Sequence, residues 1–296
     1  MGGYDSSYSE VTIRQAWEAC IEAGVVLFDT AEVYGGGESE RIIGRLLAAD
    51  PTVRNQVVIA TKFMPSPQKL AVTKALVKAA RASLERLGIE SIDLYQIHGP
   101  VSLRSHDAMA EALAAAHGEG LIKAVGVSNY SVKETRAIAA ALSKRGLHLA
   151  TNQIEFSLLR TMPEKSGLLA CCRELGVVPL AYSPIGQGRL TGKYTADNPP
   201  PKSRNFSNHP MAEVDRIVDV LRRIGANHGD RTPSQVALAW IIAKGAVPIP
   251  GAKSRRQAED NAGCLGWCMD DEELAALDAA ALYGTRGISQ RFWQHG

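Results

Sequence analysis

The segment Leu94–Tyr130, LYQIHGPVSLRSHDAMAEALAAAHGEGLIKAVGVSNY, decides the fold. It opens with a short apolar run, Leu94–His98, and closes with a second, Ala124–Ser128. Runs this apolar suit strands covered on both faces of a sheet. Between them His106–His117 has helical spacing and stops at Gly118, a residue suited to ending a helix. A strand, a helix and a strand in this compass form the crossover that joins two parallel strands. Each strand finishes on a polar residue, His98 and Ser128.

The same rhythm extends in both directions. Upstream, the runs Val25–Thr30 and Val57–Lys62 alternate with the helical segments Ser39–Ala49 and Val72–Leu87. Downstream, Ala150–Glu155, Val177–Pro184 and Val247–Ala252 alternate with Lys133–Lys144, Pro163–Leu175, Met211–Ile224 and Pro233–Lys244, and Asp270–Ala281 comes last. Ser131, the Thr232–Pro233 pair and the acidic run Asp270–Glu273 are good helix starts. Unbroken repetition without a linker predicts one domain over residues 1–296 built on a parallel sheet. Polar residues recur at strand ends: Asp29, Lys62, His98, Ser128, Gln153 and Ser183. That favours a closed barrel, whose sites draw on several strand ends, over an open sheet with one switch point. The expected class is α/β, a (β/α)8 TIM barrel. Only seven strands are legible, and a helical segment, Val11–Ala23, precedes the first. The ten residues ahead of it, rich in Gly, Ser and Tyr, lack a strand pattern. The barrel is therefore expected to lack its first strand at the N-terminus.

Composition narrows the function. With 45% hydrophobic and 22% charged residues over 296 positions, the chain has the balance of a water-soluble globule. A net charge of +2 gives no bias toward nucleic acid or membrane. No apolar run approaches a membrane span, and MGGYDSSYSE is not a secretory signal. Five cysteines without paired spacing argue for free thiols in a reducing compartment. Cys264 and Cys268 have no partner pair of ligands nearby, and the seven histidines show no metal spacing, so no metal is expected. Gly35–Gly37 invites a phosphate-loop reading, but the required spacing is absent and a turn is expected.

Three strand ends carry the chemistry. FDTAEVYG (Phe28–Gly35) puts Asp29 at the end of one strand and Tyr34 five residues on. IATKF (Ile59–Phe63) and LYQIHGP (Leu94–Pro100) end the next two strands with Lys62 and His98. Singly, these have ordinary structural readings: a loop cap, an edge aromatic, a solvated charge, a satisfied polar group. Together, on three neighbouring strands, they converge at one mouth. Buried Asp29 and Lys62 would need each other, and an ammonium beside Tyr34 is expected to lower the phenol's pKa and make it a general acid.

This set resembles the aldo-keto reductase superfamily, whose catalytic Asp, Tyr, Lys and His occupy the same strand ends. The likeness runs from about Gly2 to the carboxyl end. It implies catalytic roles for Asp29, Tyr34, Lys62 and His98. GVSNY (Gly126–Tyr130) is similar to the segment that holds a nicotinamide carboxamide, implying Ser128 and Asn129, and TNQIEFS (Thr151–Ser157) adds Gln153. AYSPIGQGRLTGKY (Ala181–Tyr194) resembles the segment that stacks on the nicotinamide and wraps the pyrophosphate, implying Tyr182, Ser183, Ile185, Gly188 and Lys193. PIPGAKSRRQAEDN (Pro248–Asn261) resembles the adenosine-phosphate segment, with Lys253, Ser254 and Gln257 toward the 2′-phosphate and ribose, and Asp260 and Asn261 toward the adenine. The family usually has Glu where Asp260 stands. Lys253, Arg255 and Arg256 at a helix start would draw an anion, which favours NADPH over NADH.

The resemblance thus implies NADPH-dependent reduction of an aldehyde or ketone, with Tyr34 as general acid. Likeness to the plant and cyanobacterial members makes pyridoxal a candidate substrate. The partner expected is a small-molecule carbonyl substrate, with neither nucleic acid nor membrane; oligomeric state is not legible. The alternatives are a redox-sensing auxiliary of the channel β-subunit kind, or an inactive truncated paralogue. A cytoplasmic location is expected, or a chloroplast one were a transit peptide to precede this chain. Residues 99–105, 186–210 and 283–296 should rim the mouth, with Phe292 and Trp293 either closing over an apolar substrate or packing on a helix.

Overall fold

The computed structural model describes residues 9–66, 68–204 and 206–296, apart from the side chains of 288 and 289. Its first half runs α1 (Glu10–Glu22), β1 (Leu27–Asp29), α2 (Glu38–Ala49), β2 (Val58–Phe63), α3 (Val72–Leu87), β3 (Ile92–Ile97), α4 (His106–Gly118) and β4 (Ile122–Ser128). Then follow α5 (Val132–Ser143), β5 (Leu149–Glu155), α6 (Met162–Lys165), α7 (Leu168–Leu175), β6 (Val178–Tyr182), α8 (Met211–Asn227) and α9 (Pro233–Ala243). The chain continues with β7 (Val247–Pro248), α10 (Arg255–Ala262), α11 (Asp271–Ala280) and α12 (Ile288–Trp293). Among the described residues the seven strands form one parallel sheet in sequence order, β1 to β7.

The first and last strands are shorter than expected, at Leu27–Asp29 and Val247–Pro248. Among the described residues both are edges of the sheet and pair with one neighbour each. Pro248 and Pro250 also have no N–H to donate. The expected absence of a first barrel strand concerns a region that includes residues 1–8, which lie outside the described residues. The helix layer is continuous between the two edges. Ala16 and Ala19 of α1 pack on Ala258 of α10, and Arg255 pairs with Glu22 at 2.7 Å.

Helix starts follow the sequence signals. Ser131 and Glu134 form a reciprocal capping box on α5, Thr232 and Gln235 on α9, and Asp270 and Glu273 on α11. The triple glycine forms a turn: Gly35, Gly36 and Gly37 all have positive φ, and a Cβ at Gly37 would lie 2.7 Å from the Arg86 side chain.

Alternation along the strands sorts the barrel interior into levels. The lower level is apolar, with Ala60, Leu94 and Leu180 packed together and Leu27, Ala124 and Ala150 against them. Two residues beyond Leu27, Ala60 and Leu94 the same face becomes polar at Asp29, Lys62 and Gln96, and Asp29 bonds to Lys62, Gln96 and Gln153. The larger apolar core lies between sheet and helices, where Ile59, Phe63, Ile97, Val127 and Trp240 are buried. Among the described residues no helix is long and apolar enough to cross a membrane.

Candidate active site

Lys62 is fully buried at the end of β2. Its Nζ donates to Asp29 Oδ2 at 2.5 Å and to the Thr30 carbonyl at 2.8 Å. The second Asp29 oxygen, Oδ1, accepts from Gln153 Nε2 at 2.9 Å and Gln96 Nε2 at 3.1 Å. One carboxylate therefore ties β1 to β2, β3 and β5. Burial pulls the Lys62 pKa down, but Asp29 and Tyr34 outweigh it and the net shift is upward. Lys62 is an ammonium with its charge compensated in place.

Tyr34 opens the glycine turn after β1. Its ring centroid lies 5.1 Å from Lys62 Nζ, and its phenol oxygen lies 3.5 Å from His98 Nε2. The expectation of a lowered phenol pKa is corrected here: burial pushes Tyr34 up, with Asp29 adding to it, and Lys62 offsets only part. The phenol therefore keeps its proton at neutral pH. Burial, reinforced by Lys62, lowers His98 to about 3, so its imidazole is neutral. His98 Nδ1 is buried without a hydrogen-bond partner among the described residues. Asp29, Tyr34, Lys62 and His98 are thus brought together as the sequence predicted.

The candidate carboxamide-binding residues sit beside them. Ser128 Oγ donates to the Gln153 carbonyl at 3.0 Å, and Asn129 Nδ2 donates to Ser128 Oγ at 3.0 Å. Gln153 Nε2 itself is turned to Asp29. Tyr182, at the end of β6, donates its phenol hydrogen to Asn129 Oδ1 at 2.9 Å. Asn129 and Ser183 both hold positive φ, at 63° and 51°. Non-glycine residues in that region cost energy and cluster where a site dictates the backbone.

Beyond β6, Ile185 leads into the turn Gly186–Thr191. A Cβ at Gly188 (φ 90°) would lie 3.0 Å from Arg204 Nη1 and 3.3–3.4 Å from the end of Lys193. A bare stretch of backbone flanked by two cations fits a pyrophosphate. Arg204 was not singled out by sequence, lying in a Pro-rich loop with no periodicity.

At the far end, Ser254 caps α10 and accepts from the Gln257 N–H, while Gln257 Oε1 accepts from the Lys253 N–H at 2.8 Å. Asp260 accepts from Thr232 Oγ1 at 2.8 Å, and Asn261 Nδ2 reaches the Gly251 carbonyl at 3.5 Å. The expected trio of cations is reduced: Arg255 is turned to Glu22 and Glu259, which raise its pKa, and packs against α1. Lys253 and Arg256 remain on the exposed side of the helix start. Exposed Lys253 and Arg256 beside the start of α10 fit an anionic group such as a nucleotide phosphate.

The tail adds residues the sequence only partly foretold. Trp293 meets His98 edge-on with ring centroids 5.8 Å apart, and a Cβ at Gly99 would lie 2.8 Å from its ring. Phe292, by contrast, is 71% exposed. Phe206, Gln290, Trp293 and Gln294 line a cavity of about 230 Å³. Gln96 was missed as well, although its parity with Leu94 and His98 places it on the inner face.

Known proteins resemble this chain in sequence and fold. A model of the aldo/keto reductase family matches residues 1–282. A chloroplastic pyridoxal reductase of Arabidopsis thaliana is 37% identical over 306 aligned residues, spanning 99% of this chain and 82% of that protein. A glycerol dehydrogenase from Gluconobacter oxydans superposes with a TM-score of 0.79 at 29% identity, covering 93% of this chain and 87% of that one. An aldo/keto reductase from Klebsiella pneumoniae, solved with NADP and acetate, gives 0.75 at 27% identity, covering 97% and 90%. With the family matched across nearly its whole length and the strand-end tetrad assembled inside the sheet, this chain belongs to the aldo-keto reductase family.

Proposed function

We propose that the protein reduces an aldehyde or ketone to the alcohol with NADPH, using Tyr34 as the proton donor. The observation that carries this is the buried Asp29–Lys62 pair, with Lys62 Nζ 5.1 Å from the Tyr34 ring and the Tyr34 phenol oxygen 3.5 Å from His98 Nε2. When bound, NADPH supplies the hydride that reaches the carbonyl carbon. Ser128, Asn129 and Gln153 would hold the carboxamide, and Tyr182, Ser183 and Ile185 would hold the nicotinamide ring. Gly188, Lys193 and Arg204 take the pyrophosphate, while Lys253, Ser254, Gln257, Asp260 and Asn261 take the adenosine end.

The protein's own part is proton placement and electrostatics. His98, uncharged, donates to the substrate carbonyl oxygen and aims it at Tyr34. As that oxygen gains negative charge, Tyr34 hands over its proton and the oxygen becomes a hydroxyl. Lys62 then faces the phenolate left behind and stabilises it, and Asp29 keeps Lys62 in position. Solvent returns the proton to Tyr34 before the next turnover. Trp293 and Phe206 make the outer wall apolar and flat, which suits a planar aromatic aldehyde such as pyridoxal, the substrate named for the Arabidopsis relative.

Calorimetric titration with NADPH and then NADH tests the cofactor assignment. Saturable binding that is at least tenfold tighter for NADPH is expected. Equal binding of the two would remove the 2′-phosphate contacts from the account, and no binding of either would refute it.

A further inference from the structure

Glu155 is a buried acid at the mouth that the proposed reaction does not use. It ends β5 two positions beyond Gln153 and is 2% exposed. Ser207 Oγ donates to its Oε1 at 2.7 Å, and Gln294 Nε2 donates to its Oε2 at 2.6 Å. Arg160 Nε stands 3.8 Å away. A carboxylate this deep requires such partners. Burial pushes its pKa up against the pull of all three.

Gln294 has the opposite oddity. It is completely buried, although nearby Phe292 is 71% exposed. Its side chain is not the only fastening of the tail. The backbone N–H groups of His295 and Gly296 donate to the Asn129 carbonyl at 3.1 and 3.2 Å. Arg160 donates to the Gly296 carbonyl at 3.0 Å, Arg286 donates to the Gln294 carbonyl at 2.6 Å, and His295 pairs with Glu134 at 2.8 Å. With the tail held by these five links, the Gln294 amide is directed inward. It reaches the Tyr182 phenol oxygen at 2.7 Å as well as Glu155.

The hydrogen bonds then run in one direction. Gln294 donates to Tyr182, Tyr182 to Asn129 Oδ1, Asn129 to Ser128, and Ser128 to the Gln153 carbonyl. Because the Gln294 amide must present its NH2 group to Glu155, it has only a donor to offer Tyr182. Tyr182 must then donate onward, and that fixes which end of the Asn129 amide faces it. Bonds linked head to tail in this way reinforce one another.

We infer that Gln294, anchored on Glu155, is a positioning residue for the nicotinamide end of the cofactor site, holding the Tyr182 ring and through it the Asn129 amide. This rests on the proposal that Tyr182 and Asn129 meet the nicotinamide. The tail thereby completes the site from beneath as well as walling it with Trp293.

The test compares two ligands. NADPH engages the whole site, whereas adenosine 2′,5′-bisphosphate engages only the adenosine end. Gln294→Ala is expected to weaken NADPH about three- to tenfold, the worth of a buried neutral hydrogen bond, and to leave the bisphosphate unchanged. Gln294→Glu, which removes the donor and sets two carboxylates together, should weaken NADPH further. In a Tyr182→Phe background, Gln294→Ala should cost less than about twofold, because the shared link is already cut. Equal weakening of both ligands would make Gln294 a structural residue and overturn the inference. So would unchanged NADPH binding, or additive losses in the double variant. If the wild-type chain bound the bisphosphate but not NADPH, the cofactor reading would fail first and take this inference with it.

Discussion

Lys62 is the residue on which the site depends. Fully buried, it retains its charge chiefly because Asp29 accepts from it at 2.5 Å. Its field helps to keep His98 neutral, with a pKa near 3. A neutral His98 has a kinetic consequence. Because it takes up a proton only as pH falls toward 3, it places no limb in the rate of reduction between about pH 5 and 8, where an unperturbed histidine would. The limb expected is alkaline, from the raised phenol of Tyr34 losing the proton it must donate. A pH–rate profile checks both, and an inflection near 6.5 that vanishes in His98→Gln would contradict the assignment. The tetrad was legible in the sequence because strand-end position and residue type sufficed to find it. The direction of the Tyr34 shift was not, since the sequence shows which charges are near but not how much water has been excluded.

Elements set how the mouth is closed. Trp293 of α12 lies where a Cβ on Gly99 would be, so Gly99→Ala should push the tail outward. The expected cost is about 1–3 kcal/mol, the usual range for overpacking. A rise in KM for an aromatic aldehyde should accompany it, measured by urea unfolding and steady-state kinetics. At the other end, α10 separates two roles along one basic run. Lys253→Ala should weaken NADPH about tenfold or more, the value of a good charge-assisted phosphate contact. Arg255→Ala should leave NADPH binding within about twofold, because that guanidinium serves Glu22 on α1 in an exposed pair. Isothermal titration of both variants distinguishes them, and a similar loss for Arg255 would restore it to the phosphate site. The sequence showed three cations at a helix start. It did not show that a helix some 230 residues earlier in the chain would claim one of them.

At the scale of the molecule, a single carboxylate spans the barrel. Asp29 collects Lys62, Gln96 and Gln153 from three other strands. Asp29→Ala would strand the Lys62 charge in the interior, and removing one partner of a buried pair costs about 3–5 kcal/mol. A lower urea midpoint with an unchanged slope is expected, and a loss under about 1 kcal/mol would mean that Lys62 has another neutraliser. The parallel α/β order was readable from the sequence because strands covered on both faces are apolar throughout. The edges were less so: β1 and β7 are short, each paired with one neighbour among the described residues, and Pro248 has no N–H to donate. The tail was legible in part: its place at the mouth was expected, whereas the Gln294–Glu155 contact joins residues 139 apart and has no local signal.

The most direct test of the account is the turnover of Tyr34→Phe with NADPH and an aromatic aldehyde. The account predicts a fall in kcat of about 10²- to 10⁴-fold, the contribution of a positioned general acid, with NADPH affinity unchanged. A variant that reduced the aldehyde at the wild-type rate would show that the proton comes from elsewhere.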